Sequence, residues 1–391
     1  MDIGDLVNLM QRIAPLDHAE SWDKVGLLAG DRTRPLTGPI LLTIDLTERV
    51  MAEAIAMKAG AIIAYHPPIF EPLARITDAT PRQRVILRAL EHHIAIYSPH
   101  TALDNIPGGV TDWLCEGLSG GEPALARSGK INGDCRALAP HSRAPGTQQV
   151  KIVTFIPEAD ADKVRGALAS AGAGIIGAYK VCSFASPGTG TFLASESSNP
   201  TIGQRGELER VAELRLEMVC SKAALSLALE TLRRFHPYEE PAIDAYELTP
   251  QPRRSAGSGR RLVLDKPATV AELAQRLKAF TGRDSVRYAL ADPDHDRPVK
   301  YIGVVPGSGE SLSRLALQEG CELFVTGEMK HHEVLGALNA GMNVLLGGHT
   351  STERGYLHRL KANMESQEPT LATKPGSVMV SKVDQTPLVT V

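Results

Sequence analysis

The feature that most restricts the fold is a pattern written twice, near opposite ends of a 391-residue chain. The apolar run Ile40-Leu41-Leu42-Thr43-Ile44 leads to a helical stretch at Glu48–Lys58, then Gly60, then Ala61-Ile62-Ile63-Ala64 ending in Tyr65-His66. Tyr301–Ser308, a helical stretch, Gly320 and Leu323-Phe324-Val325, ending in Thr326-Gly327-Glu328, repeat that order. Further on, Ile94-Ala95-Ile96-Tyr97 leads to Ser98-Pro99-His100-Thr101-Ala102-Leu103-Asp104. Its counterpart, Asn343-Val344-Leu345-Leu346, leads to Gly347-Gly348-His349-Thr350-Ser351-Thr352-Glu353. Short apolar runs alternating with helical periodicity read as β-α-β units around a parallel sheet. Two matches in the same order, each at the carboxyl end of a strand, predict a duplicated α/β core whose two halves face each other.

A chain this long exceeds what one hydrophobic core organises, since domains settle at roughly 50–200 residues. The repeated pattern assigns 1–125 to the first half of the core and 262–364 to the second. Gly-, Ser- and Pro-rich text at 126–149 and polar, basic text at 250–261 predict linkers, which leaves 150–249 as an inserted domain. The tail after Met364 is expected to be loosely ordered.

Composition removes several function classes. Forty-two basic against 45 acidic side chains, and 4% aromatic residues, give neither the positive field nor the stacking platforms of a nucleic-acid binder. No apolar run reaches the roughly 18 residues of a membrane span, and the start, Met1-Asp2-Ile3-Gly4-Asp5, lacks the features of a signal peptide, so a cytoplasmic protein without a membrane partner is expected. The five cysteines form no C-x-x-C pair and suggest neither a disulfide frame nor a thiolate zinc site.

The chemistry lies at the strand ends. His-x-x-x-acid puts imidazole and carboxylate four residues apart, so that on one helical turn they share a face and can converge on a cation. His100 with Asp104 and His349 with Glu353 repeat that spacing, and His66, followed by Pro67-Pro68, ends another apolar strand. Nitrogen and oxygen donors without thiolate suit Zn, Mn, Fe, Co or Ni. Glu328, His331 and His332 stand at the matching exit of the second half and are candidates for proton transfer or for orienting a ligand imidazole. His92-His93, His18 and His295 read as surface or turn residues. Gly303 to Gly309 lacks the G-x-G-x-x-G order and reads as a strand-to-helix turn whose N–H groups could receive an anion.

With these segments in place, the chain resembles the Nif-three-like family, often labelled GTP cyclohydrolase 1 type 2 homologues. Ala19-Glu20-Ser21-Trp22-Asp23-Lys24-Val25-Gly26-Leu27, Tyr65-His66-Pro67-Pro68-Ile69-Phe70 and Ser98 to Asp104 look like that family's signatures in its order. So do Thr326-Gly327-Glu328 and Gly348 to Glu353. The middle block, with a strand at Lys151–Ile156, a helix from Asp160 and the segment His236-Pro237-Tyr238-Glu239-Glu240-Pro241-Ala242, is similar to the PII/CutA-like insert of longer members, a ferredoxin-like α+β unit. The resemblance implies two divalent metal ions, with His66 and Asp104 on one, His349 on the other and Glu353 shared. Tyr65 stands where many members have a second histidine, with His100 as a neighbouring substitute. It also implies a ring-like homo-oligomer, a hexamer or a dimer, and a small-molecule substrate or ligand. The function expected is a metal-dependent hydrolase of a nucleotide, cyclic amidine or phosphoester acting through activated water. The competing expectation is a nonenzymatic metal-handling or regulatory assembly protein with a ligand-sensing insert.

Overall fold

Alternate residues of the short apolar runs point to opposite faces of a strand, and this period of two organises the molecule. A computed structural model describes residues 1–121, 129–143, 145–373 and 376–388, apart from the side chains of Arg143 and Arg253. Residues 122–125 of the expected first half, and 126–128 and 144 of the expected first linker, lie outside the described residues. The chain forms two units, Met1–His141 with Arg253–Val391, and Ser142–Pro252.

The first unit opens with β1 (Gly26–Ala29), β2 (Ile40–Thr43), β3 (Ala61–Ala64), β4 (Ala95–Ser98) and β5 (Gly133–Arg143). The intervening unit carries β6 (Val150–Ile156), β7 (Phe184–Leu193), β8 (Leu208–Cys220) and β9 (Ile243–Glu247). Then follow β10 (Gln251–Ala268), β11 (Arg287–Ala289), β12 (Val299–Val304), β13 (Leu323–Thr326), β14 (Asn343–Leu346) and β15 (Val378–Val380).

One sheet has the order β1-β4-β3-β2-β15 and the other β11-β14-β13-β12-β10-β5. Within them β2, β3 and β4 are parallel, as are β12, β13 and β14, so the two triplets carry the same connectivity. Leu42 and Ile63 of the first triplet, and Leu323 and Val325 of the second, enter one shared core with the helices Ile3–Ile13, Val110–Leu118, Val270–Thr281 and Tyr356–Gln367. Leu41, Ile62 and Ile96 face outward beneath helices Glu48–Ala56 and Pro81–Glu91, while Phe324, Val344 and Leu346 do so in the second sheet. Each such side chain contributes about 1.5–3 kcal/mol when buried. Capping boxes at Asp2 with Asp5 and at Thr269 with Glu272 fix where two of the core helices begin.

Two stretches differ from expectation. The polar text at 250–261 belongs to β10, and β5 beside it takes up much of the other expected linker. Ala256, Arg260, Leu262 and Leu264 are buried while Gln251, Arg254 and Ser255 stay exposed, so a strand with an accessible polar start reads as a linker. The tail supplies β15, which pairs with β2 in the register Val378↔Ile40. Asp384 then accepts the Ile44 N–H at 2.7 Å, so the tail is ordered by a sheet edge that no local signal announces.

The intervening unit has the order β-α-β-β-α-β, with helices Ala161–Ser170 and Leu225–Phe235. Its sheet is antiparallel in the order β7-β8-β6-β9, and Ile152, Ile156, Val164, Leu168, Met218 and Leu232 form its own core. Among the described residues no helix is long and apolar enough to cross a membrane.

Candidate metal centre

Parallel strands deliver their carboxyl-terminal loops to one edge of a sheet, the usual place for a site in α/β folds. His66 follows β3, His100 follows β4, Glu328 follows β13, and His349 and Glu353 follow β14. These loops border one cavity of about 1270 Å³ within the first unit.

At its centre the structure brings together His66, His349 and Glu353, with one ligand atom from each lying within 4.8 Å of the others. Glu353 is 3% exposed, and its two oxygens are bracketed, Oε2 at 3.6 Å from His66 Nε2 and Oε1 at 3.6 Å from His349 Nε2. The other nitrogen of each ring is held by a carboxylate. His66 Nδ1 lies 2.9 Å from Asp45 Oδ1, and His349 Nδ1 lies 2.8 Å from Glu328 Oε1. Both rings thereby direct Nε2 at Glu353, the arrangement that fixes tautomer and orientation in metal-binding histidines.

The residues fit a divalent cation on two observations. Glu353 Oε2 is buried with no hydrogen-bond partner, its nearest counter-charge being the His66 ring at 3.6 Å, and a buried carboxylate held that loosely leaves room for a closer cation to compensate it. Two imidazole nitrogens with one carboxylate are also the donor set of three-ligand sites that leave a position open for chemistry. Gly307 makes room for this arrangement: its φ is +61°, and a Cβ there would stand 2.4 Å from Glu353 Oε1. The anion-receiving role expected of that turn does not hold at Gly307 and Gly309, whose N–H groups are spent on Thr352 Oγ1 at 2.9 Å and Thr326 Oγ1 at 3.0 Å.

His100 and Asp104 line the same cavity but stand outside the three-residue group. The His100 ring is 5.4 Å from the His66 ring, its Nδ1 is 2.8 Å from Asp23 Oδ1, and its backbone has φ +30°, strain of the kind that gathers at functional sites. Asp104 accepts a hydrogen bond of 2.5 Å from the buried Tyr65 hydroxyl. The i, i+4 spacing therefore joins His349 with Glu353, whereas Tyr65 engages Asp104. His331 and His332 stand exposed on the first turn of helix His331–Asn339, away from the cavity lining.

Charge follows burial and pairing. Burial works to lower the His66 pKa, but the Asp45 and Glu353 carboxylates outweigh it and raise it to about 10. Burial pushes the Asp104 carboxyl up to about 7, against the Tyr65 hydrogen bond and the His100 charge. Burial also opposes ionisation of Asp45, yet its hydrogen bond to His66 holds the carboxyl below its ordinary value.

Asp45 and Asp23 had no assigned role in the sequence reading. Asp45 follows directly on the apolar run of β2, and the strand-end rule that selects His66 selects it too. Asp23 follows no such run and carries no comparable signal.

The sequence profile of the Duf34/NIF3 (NGG1p interacting factor 3) family matches residues 1–387. A GTP cyclohydrolase 1 type 2 homolog of Halalkalibacterium halodurans is 36% identical over 88% of this chain and 87% of that protein. The NIF3-like protein 1 of Homo sapiens is 33% identical over 99% of this chain and 92% of that protein. Among solved structures, Staphylococcus aureus protein SA1388 superimposes with a TM-score of 0.77 at 27% identity, covering 100% of this chain and 99% of that one. A Bacillus cereus protein related to NIF3 gives 0.64 at 30% identity, with the same coverage.

Proposed function

The chain belongs to the Duf34/NIF3 family, and from that premise we propose that it is a metal-dependent hydrolase acting on a nucleotide, or on a related cyclic amidine or phosphoester. The observation that carries the reading is the buried Glu353 carboxylate between two imidazoles, its Oε2 without a hydrogen bond and each ring fixed from behind by a carboxylate. His66, His349 and Glu353 would hold a divalent cation, Zn, Mn, Fe, Co or Ni. When bound, the cation supplies Lewis acidity and lowers the pKa of water toward neutrality.

The remaining roles fall to this chain's own groups. Asp45 and Glu328 position the ligand imidazoles. Asp23 holds His100 Nδ1, leaving Nε2 as the nitrogen open to the cavity. Asp104 and His100 would hold a second cation if the Tyr65 hydroxyl gave up its hydrogen bond to Asp104. Trp22 and Phe70, 53% and 39% exposed with ring centroids 6.2 Å apart, border the cavity and suit a planar ring. No part is proposed for His331 or His332.

The two triplets of parallel strands support reading the core as a duplication with facing halves. The β-α-β-β-α-β order supports reading the insert as ferredoxin-like, of the PII/CutA kind. Leu193 and Leu208 pair across β7 and β8 while 63% and 64% exposed, and β7 is an edge strand; these features support a homo-oligomer.

Elemental analysis with anomalous scattering on crystals, joined to a turnover panel of nucleotides, pterin precursors and phosphodiesters, tests the reading. The expected result is stoichiometric metal on His66, His349 and Glu353, with hydrolysis of at least one substrate class. Stoichiometric metal with no turnover of any class would replace the hydrolase by a metal-handling protein.

A further inference from the structure

We infer that the arm of the cavity beside the His349 loop is a subsite for an oxyanion of the substrate, a phosphate or a carboxylate, held by Arg283, Arg287 and Ser351. This rests on the cavity being a substrate site and adds which part of the substrate it grips. β11 runs antiparallel to β14 with Arg287 opposite Leu346, so the residues before Arg287 follow the chain past Leu346 toward Gly347, Gly348 and His349. The preceding helix ends at Gly282, whose left-handed φ of +66° turns the chain so that Arg283 joins the cavity wall.

Charge makes this arm different from the rest. Arg283 and Arg287 are the only arginine or lysine side chains among the described residues lining the cavity, whereas Glu20, Asp45, Asp104, Glu328 and Glu353 line it elsewhere. Even with His66 protonated between Asp45 and Glu353, the carboxylates outnumber the cations over the rest of the wall, so an anion is attracted at this end, where guanidinium groups match phosphate and carboxylate geometry. Hydrogen bonding points the same way. Arg283 Nε is buried with no partner, and so is Oγ of Ser351, a residue 6% exposed that also lines the cavity. An unpaired buried N–H is unfavourable and can be satisfied only by an acceptor, and a hydroxyl can donate to the same group.

Calorimetric titration of the full chain with inorganic phosphate, and separately with succinate, tests this, both after dialysis against chelator and with zinc restored. The parent is expected to bind one of the two anions saturably. Arg283→Gln combined with Arg287→Gln should weaken it at least about tenfold in both states. Arg287→Gln alone, on an exposed residue, and Ser351→Ala should each weaken it severalfold. Zinc stoichiometry should be unchanged in all three. Tighter phosphate assigns the arm to a phosphate ester and tighter succinate to a carboxylate. Equal anion affinity in parent and double variant, or no saturable binding of either anion by the parent, overturns the inference. Failure of the parent to take up zinc would instead sink the metal reading and leave the anion result standing.

Discussion

Glu353 answers two imidazoles with one carboxylate, so its loss should be felt by the whole centre. Glu353→Ala is expected to lose most of the bound metal, whereas His331→Ala, on an exposed helix turn, should keep its full complement; elemental analysis of the two purified variants decides. Equal metal in Glu353→Ala and the parent protein would remove Glu353 from the centre. The acid-base state of His66 gives a second prediction. Without a cation its pKa is raised to about 10, so at neutral pH a proton occupies the ring that the cation needs. Binding must displace that proton, and affinity should therefore rise with pH, about tenfold per unit between pH 6 and pH 8. Equilibrium dialysis against zinc at fixed ionic strength measures the slope, and a flat profile would mean that His66 is not a ligand.

Among the elements, helices Val110–Leu118 and Tyr356–Gln367 share a buried ion pair. Arg359 donates to both oxygens of Glu116 at 2.8 and 2.5 Å, with the two side chains 2% and 0% exposed. Removing one partner strands the other in the core. Arg359→Met should destabilise the fold by about 3–5 kcal/mol, and adding Glu116→Leu should recover much of that, because a buried pair replaced by apolar groups is often neutral; urea unfolding of the single and double variants reads both. Such a pair is invisible in the sequence, since neither residue stands out from the other charges on its helix. The strands were more legible. Runs such as Ala61 to Ala64 are buried on both faces and so lack any polar alternation to confuse them. β5 and β10 were not, because long strands with accessible polar residues carry the composition of loops, and their pairing is set by residues far away in the sequence.

For the whole molecule, the proposed ligands and the carboxylates behind them all belong to the unit outside Ser142–Pro252. β5 and β10, which lead into and out of that insert, are neighbours in one sheet and can be bridged by a short turn. A chain with the insert replaced by a glycine-rich turn should therefore fold and retain its metal stoichiometry, as checked by circular dichroism and elemental analysis; loss of metal from a folded variant would show that the centre needs the insert. The candidate site was largely legible at this scale because two distant copies of one pattern had to meet. What escaped was the state of Asp104: Tyr65 stands beside His66 in the sequence, but only folding shows its hydroxyl reaching that carboxylate.

The centre also spans the order in which the chain is made. His66 and Asp45 leave the ribosome well before His349, Glu353 and the Asp384 carboxylate that pins Ile44. At about 5–20 residues per second that interval is on the order of 15–60 s. Throughout it the early half waits with an imidazole and no opposing glutamate, so on the proposed reading metal would load only after Glu353 has emerged. Ribosome-bound chains stalled before Gly347 should retain no zinc through gel filtration, and full-length released chains should retain it.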